Sequence, residues 1–131
     1  MAKVIVMGHG GYGTAMKRSL AMLVGELEGF YFLDFNEEDS LDDLNGKIDG
    51  LLPEIGDEEV LFACDVSGGS PFRTAAERCL QHPGWAVVAG INTSAYSEIS
   101  FNLELTARAL AEMACETTRE TILMFPAKEE E

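Results

Sequence analysis

The chain has 131 residues, of which 47% are hydrophobic and 24% charged, and its formal net charge is −14. This length and balance are typical of one globular domain with a core of its own. The negative charge argues against a nucleic-acid-binding or anionic-membrane surface, because both require positive potential.

Apolar runs predict strands at residues 4–7, 30–35, 60–64, 85–91 and 121–125. Between them, apolar residues at helical spacing predict four helices, over residues 16–27, 41–52, 72–80 and 99–114. Ser40 with Asp43 three residues later is typical of a capping box at the start of the second helix. We expect that helix to be ended by Pro53 and Gly56.

The βαβαβαβαβ alternation predicts a doubly wound α/β fold with a mostly parallel sheet and right-handed crossovers. No linker or repeat divides the chain, so we expect one domain over residues 1–126 and an acidic tail over residues 127–131. If the first and third strands are neighbours, as in the flavodoxin-like order 2-1-3-4, ligands bind where the strand order reverses. Loops that begin at Gly8, Asp65 and Asn92 would border that crevice.

Three cysteines, Cys64, Cys79 and Cys115, lie in apolar stretches, and no C-x-x-C pair occurs. An odd number without metal-ligand spacing predicts free thiols rather than a disulfide framework or a metal site. No apolar run approaches the length of a membrane span. We therefore expect a protein of the reducing cytoplasm that holds no metal.

The loop after the first strand, Gly8-His9-Gly10-Gly11-Tyr12-Gly13, fits the G-x-G-x-x-G pattern of dinucleotide-binding proteins. Asp34 stands near the end of the second strand, where that pattern expects an acid for a ribose hydroxyl. Against this interpretation, such domains use two βαβαβ halves, and this chain has room for five strands only. A small nucleotide- or dinucleotide-binding protein that uses the Gly8–Gly13 loop and Asp34 is the alternative hypothesis.

The loop after the third strand points to different chemistry. Gly68 and Gly69 allow a sharp turn, and Ser70 before Pro71 is typical of an N-cap followed by the first helical residue. A helix N-terminus behind two glycines is suited to binding an anion. The simpler interpretation is that Ser70-Pro71 only begins a helix and that Asp65 only caps a loop.

Together the two loops favour phosphoryl chemistry on a histidine. If Asp65 binds one ring nitrogen of His9, it fixes the tautomer and leaves the other nitrogen as a nucleophile. Ser70 and the amides of the third helix would hold the incoming phosphoryl group. The glycines around His9 would then clear space for a partner protein.

Three segments match a known family in order and spacing: His9-Gly10, the block from Asp65 to Phe72, and Ala89-Gly90-Ile91-Asn92. They resemble the enzyme IIA component of the mannose-family bacterial sugar phosphotransferase system. The likeness extends over nearly the whole chain, and its D-x-x-G-G-S-P-F block is specific, whereas the His-Gly pair is not.

The resemblance implies that His9 accepts a phosphoryl group from the histidine-containing phosphocarrier protein HPr and passes it to a IIB component. The IIB component would phosphorylate a sugar that enters through membrane IIC and IID subunits. The resemblance further implies that Asp65 orients His9, that Ser70 contacts the phosphoryl group, and that no cofactor is needed. It assigns phosphate-binding or loop-shaping roles to Gly10, Gly68, Gly69 and Asn92.

The family sheet ends in an antiparallel strand that is exchanged across a homodimer, which here would be residues 121–125. No Ala/Pro-rich linker follows, which favours a free-standing cytoplasmic IIA protein. Gly8, Ser67 and the segment after Asn92 depart from residues common in the family, so the sugar and the partner contacts stay open. We expect His82 to be a solvated residue at a helix end.

The roles of Tyr12 and Arg73 stay open at this stage. Tyr12 lines the glycine loop or packs on the first helix, and Arg73 pairs with an anion or is simply exposed. A third class of function also stays open, a structural or regulatory relative that keeps the fold without phosphoryl transfer.

Overall fold

The computed structural model describes residues 1–129; Glu130 and Glu131, the end of the predicted acidic tail, lie outside the described residues. Strands and helices alternate in chain order: β1 (Lys3–His9), α1 (Tyr12–Val24), β2 (Phe30–Phe35), α2 (Leu41–Ile55), β3 (Val60–Cys64), α3 (Ser70–Gln81), β4 (Ala86–Ala89), α4 (Thr93–Ser100) and α5 (Ala107–Thr121). Within residues 1–129, no helix combines the length and apolarity needed to cross a membrane.

The four strands form one parallel sheet in the order β2-β1-β3-β4, which confirms the predicted topology. Val4 of β1 pairs with Phe30 on one side and with Leu61 on the other. The chain leaves β1 in one direction to form β2 and then crosses back to form β3. The strand order therefore reverses between β1 and β3, and the loops that follow these two strands lie side by side.

Hydrophobic layers cover both faces of the sheet. Val4 and Val6 of β1 pack in the cluster that contains residues of α4 and α5, whereas Ile5 and Met7 pack in the cluster that contains residues of α2 and α3. Residues 4–8 and every residue of β3 are buried. Burial on both faces explains why these strands are uninterrupted apolar runs without polar alternation.

The predicted helix over residues 99–114 is in fact two helices. α4 ends at Ser100, and α5 begins after Thr106, whose side chain caps it. The turn between them is held by the carbonyl of Leu103, which accepts a hydrogen bond of 2.9 Å from the N–H of Ala2. The periodicity missed the break because apolar side chains on both sides of the turn pack in one cluster.

Two predicted boundaries were also wrong. α2 continues through Pro53 to Ile55, because a proline in the last turn removes one backbone hydrogen bond without ending the helix there. Gly56 then closes the helix by donating its N–H to the carbonyl of Leu52 at 2.9 Å. The fourth strand is shorter than predicted and covers only Ala86–Ala89. The capping box at Ser40 is present as predicted.

The predicted fifth strand at residues 121–125 does not form in the single chain. Thr121 is the last residue of α5, and residues 122–125 follow in irregular conformation with side chains between 65% and 92% exposed. In the described part of the chain, this segment is not a member of the sheet, whose order is β2-β1-β3-β4. The exchange between copies stays a prediction.

α1 begins without a cap of its own, because Gly11 at the N-cap position has no side chain. Asp34 at the end of β2 replaces it by accepting hydrogen bonds from the backbone N–H of Thr14 at 3.0 Å and from the Thr14 hydroxyl. Gly13 permits this approach, because a Cβ there would lie 2.5 Å from the carbonyl oxygen of Leu33. Asp34 therefore acts as a helix cap.

Replacing Asp34 by alanine removes this cap, and we expect Asp34→Ala to lower the free energy of unfolding by about 1 kcal/mol. Urea unfolding at neutral pH measures the change. Asp57→Ala is the matched control, because Asp57 is an exposed carboxylate in the turn after α2 and its loss should stay within about 0.5 kcal/mol. Equal losses in the two variants would contradict the capping role.

Candidate functional site

His9 and Asp65 meet at the carboxyl ends of β1 and β3. The Oδ2 atom of Asp65 accepts a hydrogen bond of 3.0 Å from the backbone N–H of His9 and lies 2.8 Å from the Nδ1 atom of its ring. The Oδ1 atom accepts from the N–H of Val66 at 2.9 Å. The Asp65 side chain is 15% exposed and that of His9 is 47% exposed. The adjacency of two strands thus brings together residues 56 positions apart.

Hydrogen bonding keeps the Asp65 carboxyl ionised. Partial burial raises its pKa, but the hydrogen bonds from the His9 backbone, the His9 ring and the Val66 N–H outweigh that effect. The net result is a pKa below the ordinary value of 3.8. An ionised carboxylate only accepts hydrogen bonds, so the Nδ1 atom beside it carries a proton, and the tautomer that this favours has its lone pair on Nε2.

Nε2 faces the loop before α3. A Cβ at Gly69 would lie 3.0 Å from Nε2 and 2.8 Å from Cε1 of His9. Gly69 also has a φ of +99°, which favours glycine. Both the space and the backbone conformation therefore require glycine at this position.

α3 begins one residue earlier than predicted. Gly69 occupies the N-cap position, Ser70 is the first helical residue, and no side chain caps the helix. The predicted N-cap role of Ser70 is therefore wrong, because the left-handed Gly69 turns the chain before the serine is reached. The hydroxyl of Ser70 is thereby not used for capping and stands in the first turn beside the loop that contacts His9.

The first turn of α3, which follows Gly69, offers backbone N–H groups. The N–H groups of Ser70 and Phe72 are in the first turn, where the helix itself has no carbonyl to accept them. Pro71, between them, has no N–H. The helix dipole adds positive potential at this end. A nucleophilic nitrogen thus faces a helix terminus that favours anions.

At two positions of the first loop, Gly8 and Gly10, the structure explains why the residue is glycine. A Cβ at Gly8 would lie 2.7 Å from the Cγ atom of Asp65 and 2.7 Å from the Cδ2 atom of Tyr12. Gly10 has a φ of +59° and donates its N–H to the carbonyl of Phe35 at 2.8 Å. Gly68, by contrast, has open space where a Cβ would lie. Its predicted role does not rest on a steric requirement.

Asn92 shapes the loop after β4. Its side-chain oxygen accepts from the N–H of Ala95 at 3.0 Å and so caps α4. Its amide donates to the hydroxyl of Thr121 at 2.8 Å, and its backbone N–H donates to the hydroxyl of Thr118 at 3.1 Å. Of the two roles predicted for Asn92, these contacts support loop shaping.

The remaining residues with open roles lie in different environments. His82 is exposed at the far end of α3 and stacks on Trp85 with ring centroids 3.8 Å apart. Arg73 is exposed in the first turns of α3. The hydroxyl of Tyr12 lies 2.7 Å from that of Tyr96, a fully buried residue of α4. The sequence analysis missed Tyr96, although a tyrosine in a helix with buried apolar neighbours requires a hydrogen-bond partner.

The three cysteines are free, as predicted. Cys64 is buried beneath the site at the end of β3, and burial raises the pKa of its thiol to about 12. Burial also raises the pKa of Cys79. These two thiols therefore stay protonated at neutral pH and are poor nucleophiles.

A protein-family model matches residues 3–99 of the chain; it is the EIIA-man family, described as the PTS system fructose IIA component. The chain is 32% identical over 100 residues to the PTS system fructose-specific EIIA component of Bacillus subtilis (strain 168), covering 76% of this chain and 68% of the relative. It is 30% identical over 132 residues to the PTS system mannose-specific EIIAB component of Escherichia coli (strain K12), covering 98% of this chain and 41% of the relative.

Solved structures agree on the fold. The mannose/sorbose specific IIA subunit of the phosphotransferase system from Enterococcus faecalis superposes with a TM-score of 0.87 at 26% identity, covering 99% of this chain and 98% of that one. The phosphotransferase system component EIIA from Streptococcus agalactiae has a TM-score of 0.86 at 22% identity, with 95% and 98% covered. The second likeness supports the fold alone.

The depressed pKa of Asp65 makes stability depend on pH. Ionised Asp65 contributes to stability at pH values above its ordinary pKa of 3.8. This contribution is lost as the pH falls through the lower pKa of the folded state. We therefore expect the native chain to lose more free energy of unfolding between neutral pH and about pH 3 than Asp65→Asn does. Urea unfolding at both pH values measures this, with Asp57→Asn as a control that follows the native chain. The same acid loss in Asp65→Asn as in the native chain would contradict the assignment.

Proposed function

Since the chain belongs to the EIIA-man family of PTS IIA components, we propose that it carries a phosphoryl group on His9 during phosphoryl transfer in a sugar phosphotransferase system. The observation that supports this most is the His9 ring itself. Its Nδ1 atom is bound to the Asp65 carboxylate, and its Nε2 atom faces the N-terminus of α3. This arrangement supplies a nucleophile and a place for the phosphoryl oxygens in one small site.

In the transfer step, the Nε2 lone pair attacks the phosphorus of a phosphohistidine on HPr. The new nitrogen–phosphorus bond forms as the bond to the donor's nitrogen breaks, and the donor's ring keeps the electron pair. The phosphorylated His9 ring, with its proton still on Nδ1, carries positive charge. The Asp65 carboxylate 2.8 Å away stabilises that charge as it develops.

The phosphoryl oxygens would lie against the first turn of α3. Its backbone N–H groups and the Ser70 hydroxyl are donors, and the helix dipole favours the negative charge. Gly69 lets this turn approach the ring, since any Cβ there would collide with Nε2. Positioning and electrostatics supply most of the catalysis in phosphoryl transfer, so this chain needs no further acid or base.

The site is open enough for a second protein. The His9 side chain is 47% exposed, and Gly10 and Gly11 beside it are exposed without side chains. A partner can therefore bring its own histidine to the ring. We infer that HPr and a cognate IIB component use this surface in turn, in the cytoplasm, and that IIB serves membrane IIC and IID subunits.

Labelling with phosphoenolpyruvate and the general phosphotransfer proteins tests this function. We expect the native chain to take up acid-labile, base-stable label and His9→Ala to take up none, because Nε2 is the acceptor. His82→Ala is the matched control and should label like the native chain, since His82 lies at the far end of α3. Label on His9→Ala, or none on the native chain, would overturn the proposal. Binding of HPr without label would indicate a regulatory relative.

We further propose a homodimer in which residues 121–125 pair with the sheet of the other copy. Four consecutive apolar side chains, at residues 122–125, are between 65% and 92% exposed. β4 is an edge strand of the sheet in the described part of the chain. Next to it lies a groove lined by Val87, Val88, Ala111, Glu112, Cys115 and Arg119. An exposed apolar segment and an unpaired edge strand fit one another.

Sedimentation equilibrium tests the dimer. We expect the native chain to have twice its monomer mass of 14.2 kDa, and Leu123→Asp/Phe125→Asp to sediment as a monomer, because charges in the segment oppose its burial. Met22→Asp is the control, since Met22 is 91% exposed on α1 and should leave the mass unchanged. A monomeric native chain, or a dimeric double variant, would contradict the exchange.

A further inference from the structure

We propose that Tyr12, anchored through its hydroxyl to Tyr96, is a positioning residue that holds the Asp65 carboxylate against His9. The expected effect on phosphoryl transfer rests on the proposed function, whereas the expected effect on the His9 tautomer does not. Tyr12 touches neither the phosphoryl group nor the reacting nitrogen in this assignment. It acts through Asp65.

The first step is the closeness of Tyr12 and Asp65 above Gly8. The Cγ atom of Asp65 and the Cδ2 atom of Tyr12 each lie 2.7 Å from the point where a Cβ of Gly8 would stand. Two atoms that each lie 2.7 Å from one point are at most about 5.4 Å apart, so the ring edge and the carboxyl group are neighbours over the same bare backbone. The absence of a side chain at Gly8 is what allows the tyrosine to close this side of the carboxylate.

The second step is the anchor of the ring. Tyr12 is the first residue of α1, and its hydroxyl is 2.7 Å from that of Tyr96. Tyr96 is fully buried in α4, where an unpaired hydroxyl is costly. Burial raises the pKa of both tyrosines, so both hydroxyls stay protonated at neutral pH and the hydrogen bond persists. The ring is thus tied to the core and not only to the loop.

The third step is the consequence for His9. The carboxylate of Asp65 must stay on Nδ1 for the ring to keep its proton there and its lone pair on Nε2. Without the Tyr12 ring, the space over Gly8 is open to water, and only the backbone N–H groups of His9 and Val66 still restrain the carboxylate. The hydrogen bond to Nδ1 would then compete with solvent, and the tautomer with Nε2 protonated, which cannot attack phosphorus through Nε2, would gain population.

Two readouts test the proposal in Tyr12→Ala. Nitrogen-15 NMR of the His9 ring is expected to show a smaller fraction of the Nδ1-protonated tautomer than in the native chain. Single-turnover transfer from phosphorylated HPr is expected to slow by roughly tenfold, as for a misplaced reacting group. Met16→Ala is the control, because Met16 is a partly buried residue of the same helix that packs in the same core cluster. It should leave both readouts near native.

A double variant separates the ring from the hydroxyl. Tyr12→Phe leaves the buried Tyr96 hydroxyl without its partner, whereas Tyr12→Phe/Tyr96→Phe removes both hydroxyls and keeps both rings. The double variant should therefore recover stability, whereas its tautomer ratio should stay as shifted as in Tyr12→Phe, because neither variant has the hydroxyl anchor. If Tyr12→Ala fails to fold, Tyr12→Phe still tests whether the hydroxyl bond to Tyr96 anchors the ring. A native tautomer ratio in folded Tyr12→Phe would overturn that role of the bond.

The outcomes separate this proposal from the proposed function. The NMR measurement needs no phosphoryl donor, so a native chain that takes no label refutes the transfer function and leaves the tautomer test intact. A native tautomer ratio in folded Tyr12→Ala, or an equal change in Met16→Ala, would overturn the positioning role while His9 labelling stands.

Discussion

The hydrogen bonds that Asp65 accepts from His9 are the interaction on which the site depends. One carboxylate oxygen binds both the backbone N–H and the ring of the histidine, at 3.0 Å and 2.8 Å. The first bond fixes the end of β1 against the loop after β3, and the second sets the tautomer of the ring. The sheet makes this possible, because β1 and β3 are neighbours and their carboxyl ends meet at the reversal of strand order.

Close backbone approach explains the glycines around this interaction. At three glycines, other atoms lie where a Cβ would stand too close to them. These atoms belong to Asp65 and Tyr12 at Gly8, to the carbonyl of Leu33 at Gly13, and to the His9 ring at Gly69. The G-x-G-x-x-G pattern therefore reflects packing. Its last glycine allows close contact between helix and strand, as it would in a dinucleotide-binding domain. The residue between the first two glycines is a histidine whose ring is hydrogen-bonded to Asp65 of the neighbouring loop.

Several residues at the carboxyl edge of the sheet fix the starts of helices. Asp34 caps α1, Asn92 caps α4 and joins it to α5, and Gly69 starts α3. Each of these fixes the start of a helix at the carboxyl edge of the sheet. These contacts surround a His9 side chain that is itself half exposed.

Local patterns in the sequence determined the strand and helix types and the two loops that carry His9 and Asp65, whereas the order of the sheet was adopted from the flavodoxin-like topology. Uninterrupted apolar runs and helical spacing are local signals, so strands such as Phe30–Phe35 and Val60–Cys64 were predicted with their observed bounds. Only the tertiary structure decided the break between α4 and α5, the helix-capping role of Asp34 and the bond between Tyr12 and Tyr96. Each of these depends on a contact with a residue distant in sequence, which no local pattern records. The segment after Thr121 follows the same rule: its residues favour a strand, but a strand forms only where another strand offers its edge.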